Sequence, residues 1–152
     1  RPDLYRIGCV GRVSGLRETD DGRYYLTLIG LCRYSVVEEL PMAHGYREVV
    51  ANYEHFLSDL DPPPPSGANR EELLAALRNY LDARELETDW TQIGGVDEET
   101  LINALAMMCP FDPREKQALL EAPSLAERSE ALIALFKMGG MIASGDGPSL
   151  LQ

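Results

Sequence analysis

Asn103-Ala104-Leu105-Ala106-Met107-Met108-Cys109, then Glu115-Lys116-Gln117-Ala118-Leu119-Leu120-Glu121, then Leu125-Ala126-Glu127-Arg128 fill most of the last third of the chain. Apolar residues recur three and four positions apart, and capping residues punctuate them, so this part reads as a ladder of helices. The same reading places four helices between residues 69 and 140. Asn69 caps the first, with Glu72 in the capping-box position, and its apolar stripe is Leu73, Leu74, Leu77, Tyr80 and Leu81. The second runs from about Glu98 to Cys109. Leu101, Ile102, Leu105, Ala106, Met107, Met108 and Cys109 leave it little polar face, which predicts the central buried helix. Asp112 caps a short third helix, with Pro113 in its first position and Glu115 completing the box. Ser124 caps the fourth, with Glu127 in the matching place. That helix is predicted to bury Leu125, Leu132, Leu135 and Phe136 and to stop at Gly139-Gly140. Residues 141–152, rich in Gly and Ser, read as a flexible tail.

Working back from the helices, Asp61-Pro62-Pro63-Pro64-Pro65-Ser66-Gly67 marks a stiff spacer over residues 61–68, because proline supplies no ladder donor. Before it, residues 1–60 read as a β part. Tyr5, Ile7, Cys9 and Val13 lie on one face of a first strand, and Thr19-Asp20-Asp21-Gly22 is a tight-turn signal. The next strand carries Leu26, Leu28, Cys32 and Val36 on one face and Thr27, Ile29, Leu31 and Arg33 on the other. Both faces are partly apolar, which predicts a central strand covered on both sides. Gly30 predicts a bulge or bend within it. A third strand is expected at about 46–57, with Val49, Ala51, Tyr53 and Leu57 on one side.

Composition narrows the function. The chain has 152 residues, enough for one domain or two small ones with a real core. Its net charge is −11 and falls mostly after residue 60. Residues 1–60 carry 7 basic and 9 acidic side chains, and the remainder 7 and 16. Nucleic acid and anionic membrane are therefore not expected as partners. No apolar run reaches the ~20 residues of a membrane helix. The three cysteines, Cys9, Cys32 and Cys109, are odd in number and widely spaced, which suggests a reducing cytoplasm. A Cys9–Cys32 disulfide across the hairpin is the alternative to two buried thiols.

The sequence offers no bond-making machinery. Asp20/Asp21, Glu38/Glu39 and Glu71/Glu72 are sequence neighbours that diverge on a strand or a helix, so none forms an acid–base couple. His44 and His55 lack a second ligand at metal spacing, no P-loop is present, and neither cofactor nor metal is expected. Tyr24, Tyr25, Arg33, Tyr34, Tyr46 and Arg47 could stack on bases, but strands favour tyrosine for packing and the charge has the wrong sign. Met107-Met108 reads as core at helical spacing, or as an adaptable contact surface.

The set of motifs resembles the N-terminal substrate-binding domain of Lon-type ATP-dependent proteases, a family that also includes short stand-alone bacterial proteins. The residues carrying the resemblance are Ile7-Gly8-Cys9-Val10-Gly11-Arg12-Val13, Asp21-Gly22, Gly30-Leu31-Cys32-Arg33-Tyr34-Ser35-Val36, Tyr46-Arg47-Glu48-Val49-Val50-Ala51, Glu115 to Glu121, and Ser124-Leu125-Ala126-Glu127-Arg128. They span about residues 5–138. The resemblance implies an α+β protein, with an N-terminal antiparallel sheet or partial barrel of PUA-like type followed by the four-helix bundle. The family's opening strands and its Ile-Phe-Glu-Pro-Arg-Tyr-like stretch have no counterpart here, so the chain is expected to be truncated or cleaved near Arg1, with open strand edges.

The resemblance also implies a function: non-catalytic recognition of exposed hydrophobic segments of unfolded or partner polypeptides. An apolar groove between sheet and bundle is expected to hold them, aided by free strand edges. The candidate contacts, chosen as exposed-face residues, are Leu31, Arg33, Tyr34, Met107, Met108 and Phe111. The alternatives are an adaptor or scaffold binding one folded partner or a second copy of itself, and an RNA-binding PUA-like module. Asp146-Gly147-Pro148-Ser149 reads like the tetrapeptide around the family's nucleophilic serine. No lysine follows it, and the only lysines, Lys116 and Lys137, lie upstream, so a tail is expected there and not a catalytic site.

Overall fold

The computed structural model describes residues 2–62 and 67–143. The chain divides into two compact units, residues 1–63 and 64–152. Residues 63–66 of the expected spacer lie outside the described residues, as does the expected tail from residue 144 onward, including Asp146 to Ser149.

The first unit is a three-stranded antiparallel sheet. β1 (Ile7–Glu18) and β2 (Tyr24–Glu39) form a long hairpin, β3 (Val49–Asn52) pairs with the far end of β2, and the order is β1-β2-β3. The turn forms where Thr19-Asp20-Asp21-Gly22 predicts it. Thr19 N–H donates to the Arg23 carbonyl at 2.8 Å, and Gly22 N–H donates to the Thr19 carbonyl at 2.9 Å. Gly22 adopts φ +76°, a left-handed conformation that costs a residue with a side chain about 1–2 kcal/mol.

Gly30 does mark a bulge. Val10 faces Cys32 but Gly11 faces Gly30, so Leu31 is the extra residue on β2. Strict alternation therefore fails there, and Cys32 leaves the face that Leu26 and Leu28 share. Ser14 is the extra residue at a second shift, where its hydroxyl donates to the Thr27 carbonyl at 3.2 Å.

Two expectations for this unit are corrected. β2 is central in strand order, but residues 24–31 are exposed along their whole length, so that half of the strand is not covered on both sides. The third strand is only Val49–Asn52. The Asn52 side-chain carbonyl accepts the Glu54 N–H at 2.8 Å, turning the chain into a 3-10 helix over Glu54–Leu60. Tyr53 and Leu57 thus leave the sheet. That 3-10 helix packs beside β2 near Cys32 and Arg33, past the reach of β3.

The second unit contains α1 (Arg70–Asp82), α2 (Trp90–Gly94), α3 (Glu98–Met108), α4 (Pro113–Glu121) and α5 (Leu125–Ala143). Four of these match the predicted helices. The fifth, α2, is a single turn started by Asp89, whose carboxylate accepts from Thr91 N–H at 3.0 Å and Gln92 N–H at 3.3 Å. The Asp112 capping box at α4 is complete, with Asp112 accepting from Glu115 N–H at 2.9 Å and Glu115 from Asp112 N–H at 2.8 Å. Asn69 and Ser124 cap α1 and α5 as predicted.

α3 is not the central helix. It buries only Leu101 and Ile102, whereas α1 buries Leu73, Ala76, Leu77 and Tyr80, and α5 contributes Leu132, Ile133 and Phe136. An aromatic trio closes this core, with Tyr80 and Phe136 ring centroids 5.0 Å apart and Phe111 5.6 Å from Phe136. Gly139-Gly140 does not stop α5, which continues to Ala143. A Cβ at position 139 would lie 2.7 Å from Tyr80 Cε2, so the glycine is there to let the α5 backbone approach the buried ring.

Candidate functional site

An exposed apolar surface of the first unit comes from the register of its hairpin. Counted from the turn, Leu16 faces Leu26 and, beyond the Ser14 bulge, Val13 faces Leu28. Residues directly opposite in an antiparallel pair share a face, so these four form one stripe with Tyr24 at its end. Each is more than half exposed, from 55% at Val13 to 64% at Leu16. The other face is partly screened by arginines: Arg12 faces Ile29, and Arg17 faces Tyr25 with its guanidinium 5.1 Å from the ring centroid. In the strand order, β1 has no strand along its outer edge among the described residues.

The six sequence-predicted contacts fall into the two units, three in each. In the first unit, Leu31 is exposed at the bulge and Tyr34 is half-buried, its ring lying over Gly8 and tilted against Tyr53. Arg33 is committed to the fold. Its Nε and one terminal nitrogen donate to the two Asp59 carboxylate oxygens at 2.8 and 2.7 Å, its backbone N–H donates to Asp59 at 3.0 Å, and its guanidinium covers Phe56. The Asp59 hydrogen bond pushes the arginine still further above its ordinary pKa. Cys32 lies beneath the same anchor, its thiol donating to the Phe56 carbonyl at 3.1 Å, and burial followed by the Asp59 charge raises its pKa.

In the second unit, Phe111 packs in the aromatic trio and serves the core. Met107 and Met108 stand on the surface, 69% and 82% exposed, where the helical pattern predicted core. Lys116 Nζ donates to the Met107 carbonyl at 2.9 Å, which fixes the backbone of this last turn while leaving both thioethers in solvent.

The stripe Val13, Leu16, Leu26, Leu28 escaped the sequence reading, although counting residue pairs outward from the Thr19–Gly22 turn would have found it. The chemistry-bearing residues are occupied or scattered. Glu39 binds Arg47, whose other terminal nitrogen donates to the Pro2 carbonyl at 2.8 Å. His44 stacks on Tyr46. Thr19, Asp20, Asp21, Arg23, Tyr24 and Tyr25 line an open depression at the turn, but Asp21 accepts from the Thr19 hydroxyl, which lowers its pKa. All three cysteines are unpaired. Among the described residues, no group of three His, Cys, Asp or Glu side chains could hold a metal, and no helix is long and apolar enough to cross a membrane.

The first unit is thus an antiparallel hairpin sheet with exposed apolar side chains, and the second a capped helical unit. Residues 1–137 match the family model of the ATP-dependent protease La (LON) substrate-binding domain, and the chain belongs to that family. It is similar to the crystal structure of a Lon N-terminal domain protein from Xanthomonas campestris, with a TM-score of 0.55 and 18% identity. That match covers 86% of this chain and 68% of the other, and at this identity it shows the shared fold. No curated protein matches the chain.

Proposed function

We propose that this domain, without catalysing a reaction itself, binds polypeptide segments that expose apolar residues, in a reducing cytoplasm. The observation that carries the reading is the hairpin stripe Val13, Leu16, Leu26, Leu28 and Tyr24, apolar side chains held in register and left in water. A patch of this kind is what an interaction surface requires, and the open edge of β1 offers main-chain groups to an extended guest. The exposed pair Met107-Met108 supplies a second, adaptable contact surface. Membership of a substrate-binding family supports polypeptide as the guest. Burying half of one such leucine yields roughly 1 kcal/mol, so the stripe supplies a few kcal/mol, to which main-chain pairing along the β1 edge would add.

The test uses fluorescein-labelled, reduced and carboxymethylated α-lactalbumin, a permanently unfolded chain, and fluorescence anisotropy. Leu26→Thr/Leu28→Thr keeps β-formers on the strand but removes the apolar face. Affinity is expected to fall at least tenfold, about 1.4 kcal/mol, with an unchanged thermal melt. Equal affinity of variant and wild type, or no binding by either, refutes the reading. Tight binding of a single folded partner, with none of several unrelated unfolded chains, establishes the adaptor alternative instead.

A further inference from the structure

We infer that the guest of the β1 edge is an extended segment in which two acidic residues bracket two apolar ones, in the order acidic, apolar, any, apolar, acidic. The inference rests on the docking reading above and specifies its guest. The two faces of the hairpin differ in chemistry. Tyr25, Thr27 and Ile29 alternate along β2 without interruption, so they share one face with the residues opposite them, Arg17, Gly15 and Arg12. Leu26 and Leu28 share the other face with Leu16 and Val13. Because Ser14 is an extra residue, the stretch from Arg12 to Arg17 is spanned by only Tyr25 to Ile29 on β2.

A strand added along the outer edge of β1 sets its side chains beside those of β1, alternately on the two faces. If it spans Arg12 to Arg17 as β2 does on the inner edge, its first and fifth residues flank the two arginines, four strand steps or about 13 Å apart. Its second and fourth residues lie against Val13 and Leu16, and its third lies over Gly15, which presents no side chain. Both arginines are exposed. Among the described residues of this unit the ion pairs use Arg23, Arg33 and Arg47, and neither Arg12 nor Arg17. Arg17 lies over the Tyr25 ring, and a stacked guanidinium keeps its in-plane N–H donors for a carboxylate. Thus, in a chain of net charge −11, this edge carries two cations beside an apolar stripe. Opposite charges on adjacent strands stabilise their pairing and like charges oppose it. The same rule disfavours a second copy as the occupant: antiparallel pairing that matches Val13 with the copy's Leu16 sets Arg12 against the copy's Arg17. The guest pattern reads the same in both directions, so parallel and antiparallel guests satisfy it alike.

The experiment uses the whole chain at low salt and three fluorescein-labelled peptides, each flanked by glycines so that nothing charged meets Glu18. One contains Glu-Val-Thr-Val-Glu, one Lys-Val-Thr-Val-Lys, and one Val-Glu-Thr-Glu-Val, which keeps the composition of the first but exchanges its faces. Anisotropy is expected to show the first bound about tenfold more tightly than the second, the result of two exposed charge pairs turned from attractive to repulsive. The third is expected to bind more weakly than the first. Arg12→Glu/Arg17→Glu, checked by its thermal melt, is expected to reverse the order of the first two. Equal affinities for the three peptides, with carboxymethylated α-lactalbumin still bound, overturn the acidic pattern and leave the docking reading standing. Binding of neither the peptides nor α-lactalbumin overturns both. Tighter binding of a labelled oligouridylate than of the first peptide, lost in the double variant, overturns the proposal in favour of nucleic acid. A dimer in sedimentation velocity that excludes the first peptide overturns it in favour of a second copy.

Discussion

Replacing either glycine of Gly139-Gly140 by alanine should move stability in opposite directions, and the structure sets the sign. Alanine in a helix interior gains up to about 1 kcal/mol over glycine, somewhat less here because both positions lie in the last turns of α5. At Gly140 the new methyl would meet its nearest neighbours, the Asn79 carbonyl oxygen and the Tyr80 Cα, at 3.8 and 3.9 Å, ordinary contact distances. Gly140→Ala should therefore stabilise by several tenths of a kcal/mol. At Gly139 the methyl would sit 2.7 Å from Tyr80 Cε2 and 3.1 Å from its Cδ2. The ring has nowhere to go: it is 2% exposed, packed on Phe136 at 5.0 Å and covered by the Arg84 guanidinium at 4.5 Å. Overpacking of this kind costs roughly 1–3 kcal/mol, more than the helix gain. Gly139→Ala should lose about 1 kcal/mol net, a fall of roughly 4–8 °C in Tm for a unit of this size. Circular dichroism at 222 nm during thermal and urea unfolding reads both variants. A Gly139→Ala protein as stable as Gly140→Ala would refute the close-packing account of this glycine.

Asp59→Ala removes an acceptor of the Arg33 backbone N–H and breaks the ion pair, whose side chains are 11% and 20% exposed. Removing one partner of a largely buried pair costs roughly 3 kcal/mol; the expected readout is faster labelling of Cys32 by a thiol reagent, and an unchanged rate would sink the anchoring role. Stability should also fall at both ends of the pH range. Cys32 and Cys109 have raised folded pKa values, so their contribution is full below the ordinary thiol value of 9.0 and drains away as pH rises above it. Asp89 and Asp97, held low first by the backbone N–H groups they cap, contribute above the ordinary 3.8 and lose that contribution as pH falls below it. Urea midpoints across the pH range check both signs, and Cys32→Ala/Cys109→Ala should flatten the alkaline limb.

Much of this fold is legible because its signals are local. A cap needs a side-chain acceptor and an N–H two or three residues on, so Asn69, Asp112 and Ser124 announce their helices in sequence, as Thr19-Asp20-Asp21-Gly22 announces the hairpin. The misses are cases decided by distant neighbours. Gly139-Gly140 carries the spelling of a helix stop, but its role is set by Tyr80, about sixty positions away. Asn52 ends β3 by capturing its own chain, although Tyr53 and Leu57 keep the alternation of a strand. The candidate contacts divide for the same reason. Arg33 and Phe111 have partners that only folding supplies, Asp59 and the Tyr80–Phe136 pair, so exposed-face logic misplaced them. Met107 and Met108 have none in the core, because α1 and α5, not α3, hold its centre.

That division bears on how the hairpin would act. The helical unit encloses a dense core, whereas the sheet unit buries little besides Cys32 and Arg33. A sheet with one apolar face requires something to lie against it, and within the first unit nothing described covers residues 24–31 of β2. Its distal ladder is therefore held by main-chain hydrogen bonds open to water, the condition under which segments open most readily. A guest that occupies the stripe should quench that opening. Amide exchange over residues 11–30 is expected to slow when carboxymethylated α-lactalbumin is added, while exchange in α1 and α5 stays as it was. Protection that appears only in the helices would place the guest elsewhere and remove the hairpin from the mechanism.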